Sequence, residues 1–310
     1  MSEDSAGTQA TRSLSELRGR PRWWHYEDEK KRDAVRCLLC HHNCLIAEGG
    51  NGVCCTRTFS HTEGFISPYL GRFAAVAVDP IEKKPLRRWR PGTKIYSLGG
   101  AFCNAFCPFC QNHELAHPAE PRGSATSLSM KDIPIKDLLE RIQRASLSSV
   151  AYTYNEPTLQ AEYIFAAAPL LKEHGIASVM VTNGLFGEEP REEIARFVDA
   201  LNIDVKTFDA AVYRRLGGNL DAVKSNVEYL VRRGVHVEIT ALIVPGVSDS
   251  RDGFAAMIDW LSGLSGDIPL HISRYFPAYR YTAPPTHVPL IEKFAEYARS
   301  RLKYVYPGNV

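Results

Sequence analysis

The chain of 310 residues lacks a long apolar run and carries almost no net charge. Its densest apolar stretch, Ile164–Leu171, contains Pro169 and falls far short of the ~20 residues that a membrane helix needs. The polar segment 1–33 has no apolar signal core, so we expect a cytoplasmic protein that does not bind a membrane. The formal net charge of +2 gives no electrostatic reason to expect a nucleic-acid partner.

Cysteine is absent after Cys110, which makes the placement of the eight cysteines informative. Five of them lie between Cys37 and Cys55, and the other three lie between Cys103 and Cys110. A disulfide scaffold is usually smaller and secreted, whereas tight groups of cysteines in a cytosolic chain more often bind metal. Both groups are therefore candidate metal sites.

Predicted strands and helices alternate from Thr93 onward. The predicted strands are Lys94–Leu98, Ser149–Tyr154, Ala177–Thr182, Leu201–Lys206, Val235–Val244 and Pro269–Phe276, with a possible seventh at Tyr304–Tyr306. Repeated βα units favour a parallel sheet. Because a full eight-unit barrel usually needs about 250 residues, we predict an α/β protein with a partial (β/α)6 barrel.

The sequence predicts three parts along the chain. Residues 1–33 are rich in Ser, Glu, Arg and Gly and show no apolar period, so we expect a disordered or loosely ordered arm. Residues 34–92 form a cysteine-rich N-terminal subdomain. Residues 93–310 form the partial barrel.

The spacing C-x3-C-x2-C of Cys103, Cys107 and Cys110 predicts an iron–sulfur site. This triplet follows the first barrel strand, and the loops after the strands form the active face of such folds. Three thiolates can hold three corners of a [4Fe–4S] cluster and leave the fourth iron open to a cofactor or substrate. A zinc site that takes a ligand from elsewhere is the alternative, although zinc sites typically pair C-x2-C elements.

The first cysteine group has the spacing C-x2-C-x3-C-x9-C. The candidate ligands are Cys37, Cys40, Cys44 and Cys54, with Cys55 as the spare. Four thiolates are enough for structural zinc or for an auxiliary Fe–S cluster, and the spacing does not choose between them.

Period-two alternation predicts that several strands send polar side chains into the barrel. The candidates are Asn202, Asp204 and Lys206 on one strand, and His236, Glu238 and Thr240 on the next. Because buried charge is costly unless it is paired, Asp204 and Lys206 indicate a ligand pocket or a mutual ion pair.

The sixth predicted strand adds His271, Ser273, Arg274 and Tyr275, which could reach a substrate or cofactor. His271 is equally compatible with a satisfied core histidine. Arg274 could meet an anionic group or pair with Glu238.

Together these motifs resemble those of radical S-adenosylmethionine (SAM) enzymes, whose hallmark is C-x3-C-x2-C with an aromatic residue, here Phe109, before the last cysteine. Further matches are Lys83-Lys84-Pro85-Leu86, Tyr154-Asn155-Glu156-Pro157, Val181-Thr182-Asn183-Gly184, Asn202-Ile203-Asp204-Val205-Lys206 and Val244-Pro245-Gly246. They resemble the radical member of the AmmeMemoRadiSam system, a group similar to pyruvate formate-lyase activating enzymes. The resemblance extends from about Cys37 to Val310.

The resemblance implies a definite chemistry. SAM binds the open iron of a [4Fe–4S] cluster, and one electron cleaves it to methionine and a 5′-deoxyadenosyl radical. The radical takes a hydrogen atom from a substrate, which is a protein, a peptide or a small molecule. The electron comes from a donor such as flavodoxin or ferredoxin.

The resemblance also implies which residues contact SAM. Asn155 and Glu156 stand in a motif that is usually Gly-Gly-Glu-Pro and that holds the methionine amino group. Thr182 and Asp204 are implied near the methionine carboxylate, with Asp204 acting through a cation. The full set of predicted cofactor-binding residues is Phe109, Asn155, Glu156, Thr182, Asn183, Asp204, Lys206, Thr240 and Arg274.

Two other functions compete with a radical SAM oxidoreductase. A non-catalytic Fe–S electron carrier needs neither a barrel of this size nor a polar lining beyond the cluster. A zinc-binding module leaves the triplet of Cys103, Cys107 and Cys110 unexplained. The sequence therefore favours the enzyme.

Overall fold

The computed structural model describes residues 12–118 and 128–310. Small β-sheets occupy the N-terminal part, with strands β1 (Trp24–Tyr26), β2 (Ala34–Cys37), β3 (Leu45–Ala47), β4 (Thr58–Ser60), β5 (Gly64–Ile66) and β6 (Arg72–Phe73). The later strands are β7 (Ala75–Pro80), β8 (Lys94–Gly99), β9 (Lys131–Asp132), β10 (Ser149–Tyr152), β11 (Ala177–Thr182), β12 (Ala200–Asp204), β13 (His236–Ile243), β14 (Leu270–Arg274) and β15 (Val305–Gly308).

Helices follow most strands of the second half. They are α1 (Leu14–Gly19), α2 (His113–Ala116), α3 (Ile135–Arg144), α4 (Ala161–Glu173), α5 (Glu188–Phe197), α6 (Ala210–Arg215), α7 (Leu220–Arg232), α8 (Arg251–Leu264) and α9 (Val288–Arg299), with short 3-10 turns at Ile81–Lys83 and Pro157–Gln160. Within the described ranges, no helix is both long and apolar enough to cross a bilayer.

The central sheet has the strand order β15-β14-β13-β12-β11-β10-β8-β7. All neighbours from β8 to β15 pair in parallel, and β7 pairs antiparallel with β8. The two edge strands β7 and β15 are not paired with each other in the described part of the chain. The structure therefore confirms a partial barrel, which is open between these two strands.

Local sequence explains how the helices cover the outside of this sheet. In α7 the side chain of Asn219 caps the N-terminus by accepting from the backbone N–H groups of Asp221 and Ala222. The helix then buries Val223, Val227 and Leu230 at i, i+4 and i+7 against the sheet. Because the helices take the apolar outer face, the inner face is left to polar side chains.

The prediction of a loosely ordered arm over residues 1–33 is wrong for the part that the structure describes. Helix α1 begins with a capping box between Ser13 and Glu16 and buries Leu17. Trp23 is also buried and packs edge-on against Phe165, with ring centroids 5.9 Å apart. These apolar anchors hold the segment on the body although its composition is polar, while residues 1–11 lie outside the described residues.

A buried ion pair joins the cysteine-rich part to the barrel. The guanidinium of Arg57 donates two hydrogen bonds of 2.7 Å to the carboxylate of Glu162 on α4. The two side chains are 0% and 2% exposed. The backbone N–H of Arg22 donates to the same carboxylate at 2.9 Å, so three separate segments meet at Glu162.

A second buried carboxylate, Glu238 on β13, fixes the connection between β7 and β8 beneath the barrel. Its oxygens accept from the backbone N–H groups of Arg87 and Arg88 at 3.0 and 2.7 Å. Nε2 of His236 and of His271 lie 3.0 and 2.6 Å from the same carboxylate. This connection runs from Ile81 to Thr93 at the amino end of β8, so it closes the end of the barrel opposite the cysteine triplet.

We predict that Glu162→Ala lowers the free energy of unfolding by about 3–5 kcal/mol, because it leaves the Arg57 charge buried and unpaired. The matched control is Arg36→Ala, which removes a partly exposed pair with Glu27 and should cost about 1 kcal/mol or less. Urea unfolding of both variants and the wild type measures the difference. Equal losses in the two variants would contradict the role given to Glu162.

We predict that Glu238 makes stability depend on pH in the acid range. Burial alone would raise its pKa, but hydrogen bonds from His236, His271 and two backbone N–H groups lower it from 4.5 to about 2. A lowered folded-state pKa means that the stabilisation is complete above the unfolded value and is lost as the pH falls toward about 2. Glu238→Gln should therefore be less stable than the wild type at pH 6, with a gap that narrows toward pH ~3. Urea midpoints across this range test it, and a constant gap would contradict it.

Candidate functional site

The cysteine triplet lies on the wall of a cavity of about 590 Å³ at the carboxyl end of the barrel strands. Eight of the predicted cofactor-binding residues line the same cavity, namely Phe109, Asn155, Glu156, Thr182, Asn183, Asp204, Lys206 and Thr240. They come from the loops and ends of successive strands, β8 and β10 to β13. The parallel sheet therefore gathers side chains that are distant in sequence at one edge.

The three thiols of the triplet all line this cavity. All are free cysteines, with Cys107 buried and with Cys103 and Cys110 partly exposed. The sulfur of Cys103 accepts from the backbone N–H of Ala105 at 3.4 Å and from Nδ2 of Asn183 at 3.7 Å. Three thiols on an open cavity wall, one of them already supplied with N–H donors, fit a cubane cluster with one iron left to a ligand.

Burial raises the pKa of each of these thiols. For Cys107 burial raises it to about 11, while the Lys206 ammonium acts in the opposite direction. Burial is also the first cause for Cys103 and Cys110, and the carboxylate of Glu156 raises the pKa of Cys103 further. A bound metal has to displace these protons, so Lys206, which lowers the pKa of Cys107 and Cys110, favours the thiolate form.

Asp204 and Lys206 form an ion pair on the cavity wall. Nζ of Lys206 lies 2.6 Å from Oδ2 of Asp204. Burial alone would lower the pKa of Lys206, but the charges of Asp204 and Cys107 raise it overall, so the side chain stays cationic. The expected alternation of this strand is confirmed, because Leu201 and Ile203 lie in the hydrophobic core. Lys206 is thus a cation in contact with Asp204, and the expected place of Asp204 near a methionine carboxylate stays a prediction.

Asn155 braces the loop that leads into the triplet. Its Nδ2 donates to the backbone carbonyls of Ala101 and Phe102, both at 3.0 Å. Its Oδ1 accepts from the backbone N–H of Gly100 at 2.9 Å. The side chain is thus tied to the three residues that precede Cys103, so its position is coupled to that of the first thiol.

Tyr154, next to this brace, adopts a strained backbone. Its φ of 71° lies in the left-handed region, which is unfavourable for a bulky residue. Its hydroxyl donates to Oδ2 of Asp79 at 2.5 Å, and Nζ of the buried Lys84 donates to the same oxygen at 2.7 Å. Burial, together with Asp79, raises the pKa of Tyr154 to about 12, so the phenol remains a donor. The Asp79–Lys84 pair therefore anchors the side chain of Tyr154 beside Asn155.

Glu156 organises the cavity wall through contacts within the chain. Its buried carboxylate accepts from the backbone N–H and hydroxyl of Thr158, from the hydroxyl of Thr182 and from the backbone N–H of Asn183. Three of these donors share Oε1 and one reaches Oε2, so Oε2 keeps an acceptor position for a further donor. Glu156 ties the end of β10 to the end of β11, and its expected contact with a ligand amine stays a prediction.

The expectation that Arg274 reaches a cofactor, a substrate or Glu238 is wrong. Its Nε donates to the backbone carbonyl of Thr286 at 2.7 Å, and its guanidinium lies 4.7 Å from the ring centroid of Phe276. His271 and Ser273 line the cavity, and strand alternation sends their neighbour Arg274 to the opposite face. Tyr275 is fully buried, and its hydroxyl donates to the backbone carbonyl of Tyr281.

The first cysteine group stands beside the triplet. Cys37 and Cys40 are buried, as is Cys54, whereas Cys44 and Cys55 are partly exposed. Over residues 12–118 and 128–310, no three His, Cys, Asp or Glu side chains gather around one metal ion. The expected zinc ion or auxiliary cluster at this group stays a prediction.

Sequence reasoning did not identify three contributors to the site. Asn104, between two cysteines of the triplet, accepts from Nδ2 of Asn183 at 2.7 Å. Tyr154 and Lys84 anchor the strained turn before Asn155. Tyr154 and Lys84 belong to motifs named in the sequence analysis, but their roles depend on contacts with Asp79. No local sequence pattern links Asp79 to the site.

The family model described as "Radical SAM superfamily" matches residues 98–261. An uncharacterized protein of Methanocaldococcus jannaschii is 34% identical over 282 residues, which cover 89% of this chain and 81% of that one. The pyruvate formate-lyase-activating enzyme of Clostridium pasteurianum is 27% identical over 52% of this chain and 67% of its own length.

Among solved structures, a radical SAM methyltransferase from Sphaerobacter thermophilus superposes with a TM-score of 0.53 at 16% sequence identity. The match covers 71% of this chain and 67% of that chain. At this identity the likeness concerns the fold.

We predict that Asn155→Ala loosens the loop before Cys103 and lowers the iron retained after anaerobic reconstitution by about half or more. The reason is the simultaneous loss of three hydrogen bonds to Gly100, Ala101 and Phe102. Iron and sulfide analysis measures the effect. Arg301→Ala, which removes only an exposed ion pair with Asp259 on α8, is the control and should retain full iron content. Full retention by Asn155→Ala would contradict the brace.

Proposed function

The chain belongs to the radical SAM superfamily, and we propose that it cleaves S-adenosylmethionine reductively to start a radical reaction on a substrate. The proposal rests on one observation above all. Cys103, Cys107 and Cys110 share a cavity wall with polar residues from the ends of β10, β11 and β12. A cavity of about 590 Å³ has the size typical of sites for small-molecule cofactors.

We propose Cys103, Cys107 and Cys110 as the residues that hold the [4Fe–4S] cluster. When bound and reduced, this cluster supplies the electron that splits SAM into methionine and a 5′-deoxyadenosyl radical. The chain's own residues position and tune the site. Asn183 and the N–H of Ala105 hydrogen-bond to the first thiol, and such N–H···S contacts tune the potential of a cluster.

Lys206 is the residue that we propose for the carboxylate end of the cofactor. Its ammonium is held by Asp204 on the cavity wall and carries its charge close to Cys107 and Cys110. An ammonium in a partly closed cavity attracts a carboxylate more strongly than it would in water. Asp204 then contributes by holding the Lys206 ammonium in place. The hydroxyl of Thr182 donates to Glu156 instead of to the cofactor.

The substrate is proposed only by class. The likeness to the Clostridium enzyme supports an activating-enzyme-like role on a protein or peptide, and the cavity also admits a small molecule. Flavodoxin or ferredoxin remains the expected class of electron donor, and membership of the AmmeMemoRadiSam system remains a prediction. An electron carrier is the competing function, and SAM cleavage separates the two.

We predict that alanine at Cys103, Cys107 or Cys110 abolishes formation of 5′-deoxyadenosine, with a loss of at least about a hundredfold. Each thiol is taken to hold one corner of the cluster, so no single loss is tolerated. The measurement is chromatography of SAM products from anaerobically reconstituted protein with dithionite. Cys55→Ala is the matched control and should keep wild-type turnover. Turnover in any of the three variants would refute the ligand assignment, and no turnover in the wild type would refute the proposed cleavage.

A further inference from the structure

We infer that the N-terminal part of the chain positions the loop between the first two cysteines of the triplet, and that His42 is the positioning residue. This loop consists of residues 104–106, and we call it the triplet loop. The contact between His42 and the triplet loop does not depend on the proposed function. Its purpose, which is to keep the cluster ligands in place, rests on that function.

The segment that carries His42 is hydrogen-bonded to the loop after β11. The N–H of His41 donates to the carbonyl of Leu185 at 3.0 Å. The N–H of Gly187 donates in the other direction, to the carbonyl of Leu39, also at 3.0 Å. The two backbones approach so closely that a Cβ at Gly187 would lie 2.2 Å from a backbone oxygen of the opposite segment. The barrel therefore fixes the backbone from which the His42 ring projects.

The loop after β11 is in turn held by α7. Nδ2 of Asn226, a buried residue, donates to the backbone carbonyls of Gly184 and Phe186, both at 2.8 Å. The same loop begins with Asn183, whose Nδ2 lies 3.7 Å from the sulfur of Cys103. The support for the N-terminal segment is thus the loop that already supplies a donor to the first thiol.

The ring of His42 reaches from this support to the triplet loop. Its Nε2 lies 2.7 Å from the backbone carbonyl oxygen of Asn104. A carbonyl oxygen only accepts, so this ring nitrogen carries a hydrogen and donates it. Asn104 is 0% exposed, and a buried carbonyl that loses its donor is costly. The hydrogen bond therefore specifies the path of the loop directly after Cys103.

Ring packing adds to this hydrogen bond. The ring of His42 stacks on that of Phe106, with centroids 6.0 Å apart and planes inclined by 23°. The ring of His41 lies against that of His42, with centroids 4.0 Å apart. Nε2 of His41 is 3.1 Å from the carbonyl oxygen of Gly217, in the turn between α6 and α7. The two histidines together therefore contact both the triplet loop and this turn.

The turn between α6 and α7 also holds the far end of the triplet loop. The N–H of Phe106 donates to the carbonyl of Leu216 at 2.7 Å. Gly217 has a φ of 71°, and a Cβ there would lie 2.5 Å from the nearest atom of the Phe106 ring. Glycine meets both requirements, the left-handed backbone and the lack of space. The loop is thus fixed at Asn104 and at Phe106 by segments outside the triplet.

Fixing the triplet loop matters because it spans the gap between two proposed cluster ligands. Three sulfurs hold one cubane only at definite spacings, and ordering a loop costs conformational entropy that its contacts have to offset. Here part of these contacts comes from residues that precede 98–261, the range that matches the family model. The N-terminal part therefore contributes to the site by holding the ligand loop before a cluster binds.

Three variants separate the hydrogen bond of His42 from its ring. His42→Phe keeps an aromatic ring beside Phe106 and removes the donor. His42→Gln removes the ring and places an amide N–H near the position of Nε2, so it should rescue the contact with Asn104. His174→Ala is the control, because His174 is exposed and its ring bonds to the carbonyl of Leu170 at the end of α4.

The first measurement is hydrogen exchange by mass spectrometry on the full-length protein before reconstitution. In His42→Phe, we expect the segment with Ala105 and Phe106 to exchange at least about threefold faster than in the wild type, with α7 unchanged. His42→Gln should regain most of the protection, and His174→Ala should match the wild type. Unchanged exchange in His42→Phe, faster exchange throughout that variant, or no rescue by His42→Gln overturns the positioning role.

The second measurement is the rate at which a chelator removes iron from the anaerobically reconstituted protein. We expect release from His42→Phe to be about threefold faster or more, with rates near the wild type for His42→Gln and His174→Ala. Equal rates in all four proteins overturn the role in cluster retention.

Neither measurement requires cleavage of SAM, so the two failures are distinguishable. A wild type that shows the exchange pattern and does not cleave SAM refutes the proposed function and leaves the positioning of the loop intact. A wild type that cleaves SAM, with exchange and iron release unaffected in His42→Phe, does the reverse.

Discussion

The candidate site has to keep three cysteine side chains on the wall of a cavity that is also polar enough to bind a charged cofactor. Thiolates and charges are both unfavourable inside a protein unless partners surround them. The chain meets this requirement at the carboxyl edge of a parallel sheet, where separate strands deliver the partners. Asn183 and Ala105 supply N–H groups to Cys103, and Lys206 supplies a positive charge near Cys107.

The same principle organises the rest of the molecule. Each large buried carboxylate that we have described joins segments distant in sequence: Glu156 joins β10 to β11, Glu162 joins the cysteine-rich part to α4, and Glu238 fixes the connection beneath the barrel. Because a broken buried pair leaves an uncompensated charge, these contacts specify one arrangement of the open barrel. These contacts tie the parts of the chain together although β7 and β15 leave the sheet open.

Much of this architecture follows from sequence pattern because it depends on local periodicity. Alternation along β12 and the two residues after it correctly placed Asp204 and Lys206 on the cavity wall, and βα repetition correctly predicted a partial barrel. Alternation also explains the error at Arg274, since its neighbour Ser273 takes the inward face.

The features that could not be predicted from the sequence depend on contacts between residues that are distant along the chain. The brace of Asn155 on the loop before Cys103 spans more than 50 positions, and the anchor of Tyr154 on Asp79 spans 75. The order of the segment around α1 likewise comes from burial of Leu17 and Trp23 in a core assembled from later residues. Composition alone describes such a segment as solvated.

The central claim is that the polypeptide leaves one iron of its cluster to S-adenosylmethionine. The most direct measurement is electron–nuclear double resonance on the reduced protein, with SAM labelled by ¹⁵N at the amino group and ¹⁷O at the carboxylate. The account predicts hyperfine coupling of both labels to the cluster. A cubane that shows no coupling to either label while SAM is bound, or the absence of any cubane on these thiols, would contradict it.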